Sequence, residues 1–277
     1  MSSAVKSANG VLVDVTKCIG CRSCATACKS WNDLPERAAE NTERWDVQPQ
    51  MDSDTWTQVS YFLVGQGEER KWRFVKRQCM HCNEPACESA CFTHSFLKTE
   101  QGAVIYKPTE LNKDYCVGCR YCMIACPFDI PKFQYEKTFP YVQKCRFCYD
   151  RMLDGNQRPA CVTACPTGAL KYGNREALLV EAWQRINGNA KYVRHVYGEK
   201  EYGGTSWMYI SDVPFDQLGF KTNVSERSIP SYSWQVLKWT PYIFFGWGAI
   251  LTAMRLYTKG RAQVHDEAEM YAPVDQK

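Results

Sequence analysis

The placement of the cysteines constrains this chain more than any other feature. All sixteen fall into four groups of four, and none stands alone. The groups are Cys18, Cys21, Cys24 and Cys28; Cys79, Cys82, Cys87 and Cys91; Cys116, Cys119, Cys122 and Cys126; and Cys145, Cys148, Cys161 and Cys165. The first and third share the spacing C-x2-C-x2-C-x3-C. The second widens the middle gap to four residues and the fourth widens it to twelve. Pro127 and Pro166 follow the last cysteines of the third and fourth groups. The chain therefore carries an internal repeat whose insertions are confined to one gap.

A C-x2-C-x2-C-x3-C-P run is the bacterial ferredoxin spacing for a cubane [4Fe–4S] cluster. Three thiolates on one tight loop can hold three iron corners of a cube. The fourth cysteine follows on a short helical turn and points away, toward a partner cluster. Proline after that cysteine stops the turn, because it fixes φ and lacks an N–H. Gly20 and Gly118 sit inside the first C-x2-C of their runs, where the backbone is expected to pass close to inorganic sulfide without a Cβ. Structural zinc also uses C-x2-C pairs, but it pairs two of them across a longer gap and has no use for a third cysteine two residues on. A disulfide framework calls for a secretory context, and no signal peptide precedes the first group. Buried free thiols would not fall into four matched runs.

Composition narrows the rest. Of 277 residues, 45% are hydrophobic, enough for a core, while a mean hydropathy of −0.44 excludes a polytopic membrane protein. The formal charge of +4 is too small to argue for nucleic acid. The segment from Met1 to Gly10 is small and polar and is expected to fray, and it has no apolar stretch, twin arginine or cleavage site. Strands are expected at Val11 to Val15, Ala103 to Tyr106, Ala169 to Tyr172 and Ser206 to Ser211, with a hairpin of Thr57 to Val64 and Lys71 to Arg77. The stretch from Trp31 to Met51 reads as a surface loop. Asn174 is placed to cap a helix over Arg175 to Ile186, ended by Gly188, whose part is packing.

One segment, Val236 to Tyr257, is a membrane candidate. As a helix rising ~1.5 Å per residue it reaches across a hydrocarbon core of about 30 Å. Lys238 and Arg255 can snorkel at its ends, and Trp234, Trp239, Tyr242 and Tyr257 suit the interfaces. A buried or interfacial amphipathic helix is the alternative, since the charge-free core runs only from Trp239 to Met254. Arg255, Lys259 and Arg261 after the helix lean toward a cytoplasmic C-terminus, with the cysteine-bearing part on the periplasmic side. With no export signal, that part would cross with a signal-bearing partner; a cytoplasmic placement is the other arrangement.

Several stretches resemble one family. Cys18-Ile-Gly-Cys-Arg-Ser-Cys and Cys28-Lys-Ser-Trp-Asn-Asp33 are similar to the beta subunit of respiratory formate dehydrogenase. Tyr197-Gly-Glu-Lys-Glu-Tyr-Gly-Gly-Thr205 and Val213-Pro-Phe215 are similar to the iron–sulfur partner of hydrogenase-2-type enzymes. Gln78-Cys-Met-His-Cys82 and Cys119-Arg-Tyr-Cys-Met-Ile-Ala-Cys-Pro-Phe-Asp-Ile-Pro131 look like both. The resemblance implies an α+β fold of two nested ferredoxin-like [4Fe–4S] halves within residues 1–230, a single C-terminal transmembrane helix at 231–260 and a polar tail at 261–277. Groups one and four would build one half, and groups two and three the other.

It further implies four [4Fe–4S] clusters. Cys18, Cys21, Cys24 and Cys165 would hold one; Cys145, Cys148, Cys161 and Cys28 its neighbour; Cys79, Cys82, Cys87 and Cys126 the third; Cys116, Cys119, Cys122 and Cys91 the fourth. Relatives with a three-iron cluster replace one cysteine by tryptophan, whereas Cys119 and its neighbours are all cysteine here. Cys28 and Cys91 depart from the pattern, being followed by Lys29 and Phe92 instead of proline.

The expected role is a non-catalytic electron wire. It would link a catalytic molybdenum, tungsten or nickel–iron subunit to an integral membrane cytochrome b or quinone-binding subunit. A soluble polyferredoxin, or the wire of another molybdopterin enzyme, is the alternative. No general base or nucleophile is evident. His81 either donates a hydrogen bond to a cluster sulfur or is an exposed loop histidine, while His94, His195 and His265 read as ordinary. Lys17, Arg22, Arg120, Lys144 and Arg146 flank the cysteine loops and could offset cluster charge, or form a solvated basic surface. Each oxidised cubane with four thiolates carries about −2, so four of them would take the chain from +4 to about −4.

Overall fold

The computed structural model describes residues 9–35, 50–106, 116–155 and 157–270, with side chains to 261. Most of the expected frayed N-terminus, positions 36–49 of the expected surface loop and the end of the polar tail lie outside the described residues. The chain divides into two units, 1–230 and 231–277.

In chain order the first unit runs β1 (Asn9–Asp14), α1 (Ser23–Trp31), β2 (Gln58–Val64), β3 (Lys71–Arg77), α2 (Ala86–Ser89), β4 (Phe96–Lys98), β5 (Val104–Tyr106), α3 (Tyr121–Ala125), β6 (Lys132–Phe133), β7 (Val142–Gln143), α4 (Tyr149–Leu153), α5 (Ala160–Thr163), β8 (Leu170–Asn174), α6 (Arg175–Gly188) and β9 (Trp207–Ile210). The mixture is α+β, with every helix near the cysteines short.

β1 is the middle strand of a sheet ordered β8-β1-β9, antiparallel to β8 and parallel to β9. Its side chains alternate across the sheet as a strand requires. Val11 and Val13 join Trp207 and Tyr209 in the core that reaches the cysteine loops. Leu12 faces the other way, with Met208 and Ile210, onto Leu178, Leu179, Ala182 and Ile186 of α6. Both faces being covered, the middle of β1 is a continuous apolar run, and its Val11, Leu12 and Val13 are no more than 1% exposed. The Asn174 side chain caps α6 by accepting from the Ala177 N–H at 3.1 Å. The helix runs through Gly188 and ends at Asn189, one residue beyond the expected stop.

The hairpin forms as expected, β2 against β3 from Gln58↔Arg77 to Val64↔Lys71. The two-stranded pieces β4–β5 and β6–β7 complete the unit. β5 falls within the strand expected at Ala103 to Tyr106, whereas β4, β6 and β7, of two or three residues, are too short to show an alternation in sequence.

The second unit carries most of α7 (Ile229–Leu237) and all of α8 (Thr240–Met270). The transmembrane anchor expected at Val236–Tyr257, within 231–260, is not supported. The segment is helical, but among the described residues no helix is long and apolar enough to cross a membrane. The charge-free stretch between Lys238 and Arg255 falls short of the ~20 apolar residues a span needs. Within it Gly246, Gly248, Thr252, Pro241, Tyr242 and two tryptophans dilute the apolar content.

Candidate metal centres

The four cysteine loops repeat one backbone device. The second residue after the leading cysteine is left-handed in every run: Gly20 (φ 72°), His81 (50°), Gly118 (70°) and Phe147 (63°). That turn reverses the chain between the two cysteines of each C-x2-C; Cys79, Cys145 and Cys148 are buried, while Cys21 and Cys119 are exposed. At Gly20 and Gly118 the glycines supply that positive φ, and at Gly20 a Cβ would also meet Phe74 Cδ1 at 2.7 Å. A short helix then carries the next cysteine: Cys24 in α1, Cys87 in α2, Cys122 in α3 and Cys161 in α5. Cys126, before Pro127, is extended (φ −74°, ψ 115°), as a residue preceding proline should be. With Lys29 in place of proline, α1 continues past Cys28 to Trp31.

The runs do not each close on themselves. α1 packs against α5, and α2 against α3. A small cavity is lined by Cys28 of the first run and Cys145, Cys148 and Cys161 of the fourth, together with Phe147, Trp207, Thr57 and Pro159. Cys18 has Cys165 and Cys21 as electrostatic neighbours. Cys82 and Cys87 are gathered with Cys79 and Cys126. Cys122 has Cys116, Cys91 and Cys119 around it. The last cysteine of each run thus sits among the thiols of another run.

Burial pushes these thiols up, and their mutual proximity adds to it: Cys24 to about 11, Cys122 to about 12 and Cys148 to about 12. Cys91 goes the other way. Although burial opposes it, bonds from the Thr93 hydroxyl and the Ser95 N–H, each at 3.3 Å, hold it below its ordinary value.

His81 is fully buried, so it is no exposed loop histidine. Its ring stacks on Phe147 with centroids 4.8 Å apart and planes 21° apart, which joins the loop of the second run to that of the fourth. Nδ1 accepts the Val104 N–H at 2.8 Å, which puts the ring proton on Nε2, a buried atom with no protein partner among the described residues. Burial, and then Lys144, Lys98 and Lys76, hold its pKa well below the usual histidine range, so the ring is neutral.

Lys144 is 4% exposed and donates to the carbonyls of Val104 and Cys145 and to Cys79 Sγ at 3.6 Å. Of the five basic residues flanking the loops it alone is buried; Lys17, Arg120 and Arg146 are exposed, and Arg22 lies half-buried over Tyr61. His94 is exposed, and His195 pairs with Glu201 at 2.6 Å.

The 4Fe-4S dicluster domain family matches residues 70–175, which hold the second, third and fourth runs. A protein of Nitratidesulfovibrio vulgaris is 41% identical over 271 residues, covering 96% of this chain and 71% of its own length. The formate dehydrogenase-O iron-sulfur subunit of Escherichia coli is 34% identical over 251 residues, 87% of this chain and 80% of that subunit. The chain belongs to this family of iron–sulfur subunits. The hydrogenase-2 operon protein HybA of Shigella flexneri is 34% identical over 239 residues, 76% of this chain and 71% of its own. An iron–sulfur electron-transfer subunit of this family needs thiolates set around a volume and cations able to live beside them, and the residues present fit both needs. Among the described residues no three His, Cys, Asp or Glu side chains converge on a single-ion site.

The cations are buried lysines. Beside Lys144 stands Lys76, which the sequence reading missed because it lies in the β3 strand, outside the cysteine loops, although only three residues before Cys79. It is 2% exposed, donates to Gln78 Oε1 at 2.9 Å and lies over the Trp207 ring at 4.4 Å. Burial pushes its pKa down, but Cys161, Cys24 and Cys145 outweigh that and hold the ammonium charged. The available signal was a lysine at an inward register position, opposite Val59 in the hairpin.

Proposed function

We propose that this chain is the four-cluster electron wire of an oxidoreductase complex. It connects a catalytic subunit, of the formate dehydrogenase or nickel–iron hydrogenase kind, to a membrane cytochrome b or quinone-binding subunit. The observation that carries the reading is the cavity walled by Cys28, Cys145, Cys148 and Cys161. A last cysteine from one run completing the first three of another is how paired ferredoxin clusters are held.

The ligand sets follow: Cys18, Cys21, Cys24 and Cys165; Cys28, Cys145, Cys148 and Cys161; Cys79, Cys82, Cys87 and Cys126; Cys91, Cys116, Cys119 and Cys122. When bound, a [4Fe–4S] cluster accepts and releases one electron. The cysteines fix its position, burial excludes water, and Lys76, Lys144 and the His81 Nε2–H offer positive charge and a donor that favour the reduced state.

Anaerobic purification of the chain with its large subunit tests this. The expected result is a brown complex with about sixteen iron and sixteen acid-labile sulfide per chain (four cubanes). A colourless preparation with bound zinc refutes it. A molybdopterin on the large subunit identifies a formate dehydrogenase-like partner, and a nickel–iron centre a hydrogenase-like one.

A further inference from the structure

Lys144 stands where the second and fourth runs meet. Its ammonium donates to Cys79 Sγ at 3.6 Å and to the Cys145 carbonyl at 3.1 Å, with a third bond to the Val104 carbonyl. Those three bonds use all three of its protons. The thiols that act on it most strongly are Cys79, Cys87 and Cys145, and they come from two different ligand sets. The stack of His81 on Phe147 independently shows that the Cys79–Cys82 and Cys145–Cys148 loops abut. The remaining sets are served differently. Cys24 has Lys76 as its leading cation, and the charges acting most strongly on Cys122 are the three other thiols of its own set.

Resting on the four-cluster reading, we propose that Lys144 is a tuning charge shared by two clusters, one in each half, raising both reduction potentials together. A single fixed charge between two one-electron sites stabilises an electron on either. It therefore leaves the exchange between those two sites nearly balanced while making the pair a favourable resting place relative to the outer clusters. The exchange oxidises one cluster and reduces the other by one electron, and Lys144 keeps its proton throughout.

The test is an EPR-monitored redox titration of the full chain in its native complex, comparing wild type with Lys144→Met and Lys144→Arg. The proposal expects Lys144→Met to move two of the four midpoint potentials to more negative values and to leave two unchanged. Lys144→Arg, which keeps the charge, should leave all four near wild type. Movement of one potential, of none or of all four overturns it, as does an Arg variant that behaves like the Met variant. If Lys144→Met loads fewer than four clusters, Lys144→Gln takes the same test. It keeps hydrogen bonding to the carbonyls and drops the charge. A wild-type complex without [4Fe–4S] signals would overturn the cluster reading itself, and this proposal with it.

Discussion

Gly20 and Gly118 occupy equivalent places in the first and third runs, with φ of 72° and 70°. Replacing either by alanine puts a Cβ on a left-handed residue, which costs about 1–2 kcal/mol. Their surroundings differ. At Gly118 the new Cβ meets Phe133 Cζ at 3.4 Å, close to ordinary contact. At Gly20 it meets Phe74 Cδ1 at 2.7 Å, where something must shift. Phe74 is poorly placed to yield, being packed edge-on against Tyr61 at 5.1 Å. Tyr61 is itself held, accepting from Arg22 Nε at 2.6 Å and donating to the Gly20 carbonyl at 3.1 Å. Overpacking of this kind adds about 1–3 kcal/mol. Gly20→Ala should therefore open its loop about 5- to 150-fold more readily than Gly118→Ala opens its own. Anaerobic bleaching of the visible absorbance in excess iron chelator measures this, read as the rate of the fastest phase. Phe74→Leu in the Gly20→Ala background should recover most of the difference. Equal rates in the two alanine variants, or no recovery with leucine, would refute the steric reasoning.

Other outcomes follow from the same geometry. Lys76→Met should lower the potentials of the clusters near Cys24 and Cys161 by on the order of tens of millivolts, seen in a redox titration, with the cluster near Cys122 unmoved. Asn174→Ala removes the cap on α6 and should cost about 1 kcal/mol, read as faster hydrogen exchange in the first turn of that helix. The hydrogen bond to Glu201 holds His195 above its ordinary pKa, burial opposing. Its stabilisation is complete below the unfolded value of about 6.5 and fades as pH rises through the raised one. The loss of melting temperature in His195→Gln should thus be larger at about pH 6 than at about pH 9.

What could be read in the sequence was what repeats or alternates. The four runs declare themselves by spacing, the β2–β3 hairpin by two β-rich stretches around a glycine turn, and α6 by Asn174 and the spacing of Leu178, Leu179, Ala182 and Ile186. Features made by distant pairing were hidden. β4, β6 and β7 are too short for a pattern, and the buried state of Lys76 depends on which face of the hairpin turns inward. The left-handed turns at His81 and Phe147 were masked because neither is a glycine. They are legible only by analogy with Gly20 and Gly118 once the runs are superposed. The anchor expectation failed because aromatic and glycine residues make a segment look membrane-like by interface preference without supplying enough apolar length.

The place of β1 has a consequence for how the molecule is made. β1, the earliest of the described strands in chain order, is the centre of its sheet, and both its neighbours, β8 and β9, come from much later in the first unit and are made after it. Until they arrive, a run of valines and a leucine has two unpaired edges, the kind of segment that invites aggregation. Cys18 likewise waits for Cys165. The unit cannot mature from its N-terminus onward as synthesis proceeds; the inner runs can assemble while the outer ones are still being completed. A chain ending just before Leu170 would keep all sixteen cysteines yet leave β1 with neither β8 nor β9 to pair against. Such fragments should be removed as misfolded products, not accumulate as smaller working ferredoxins.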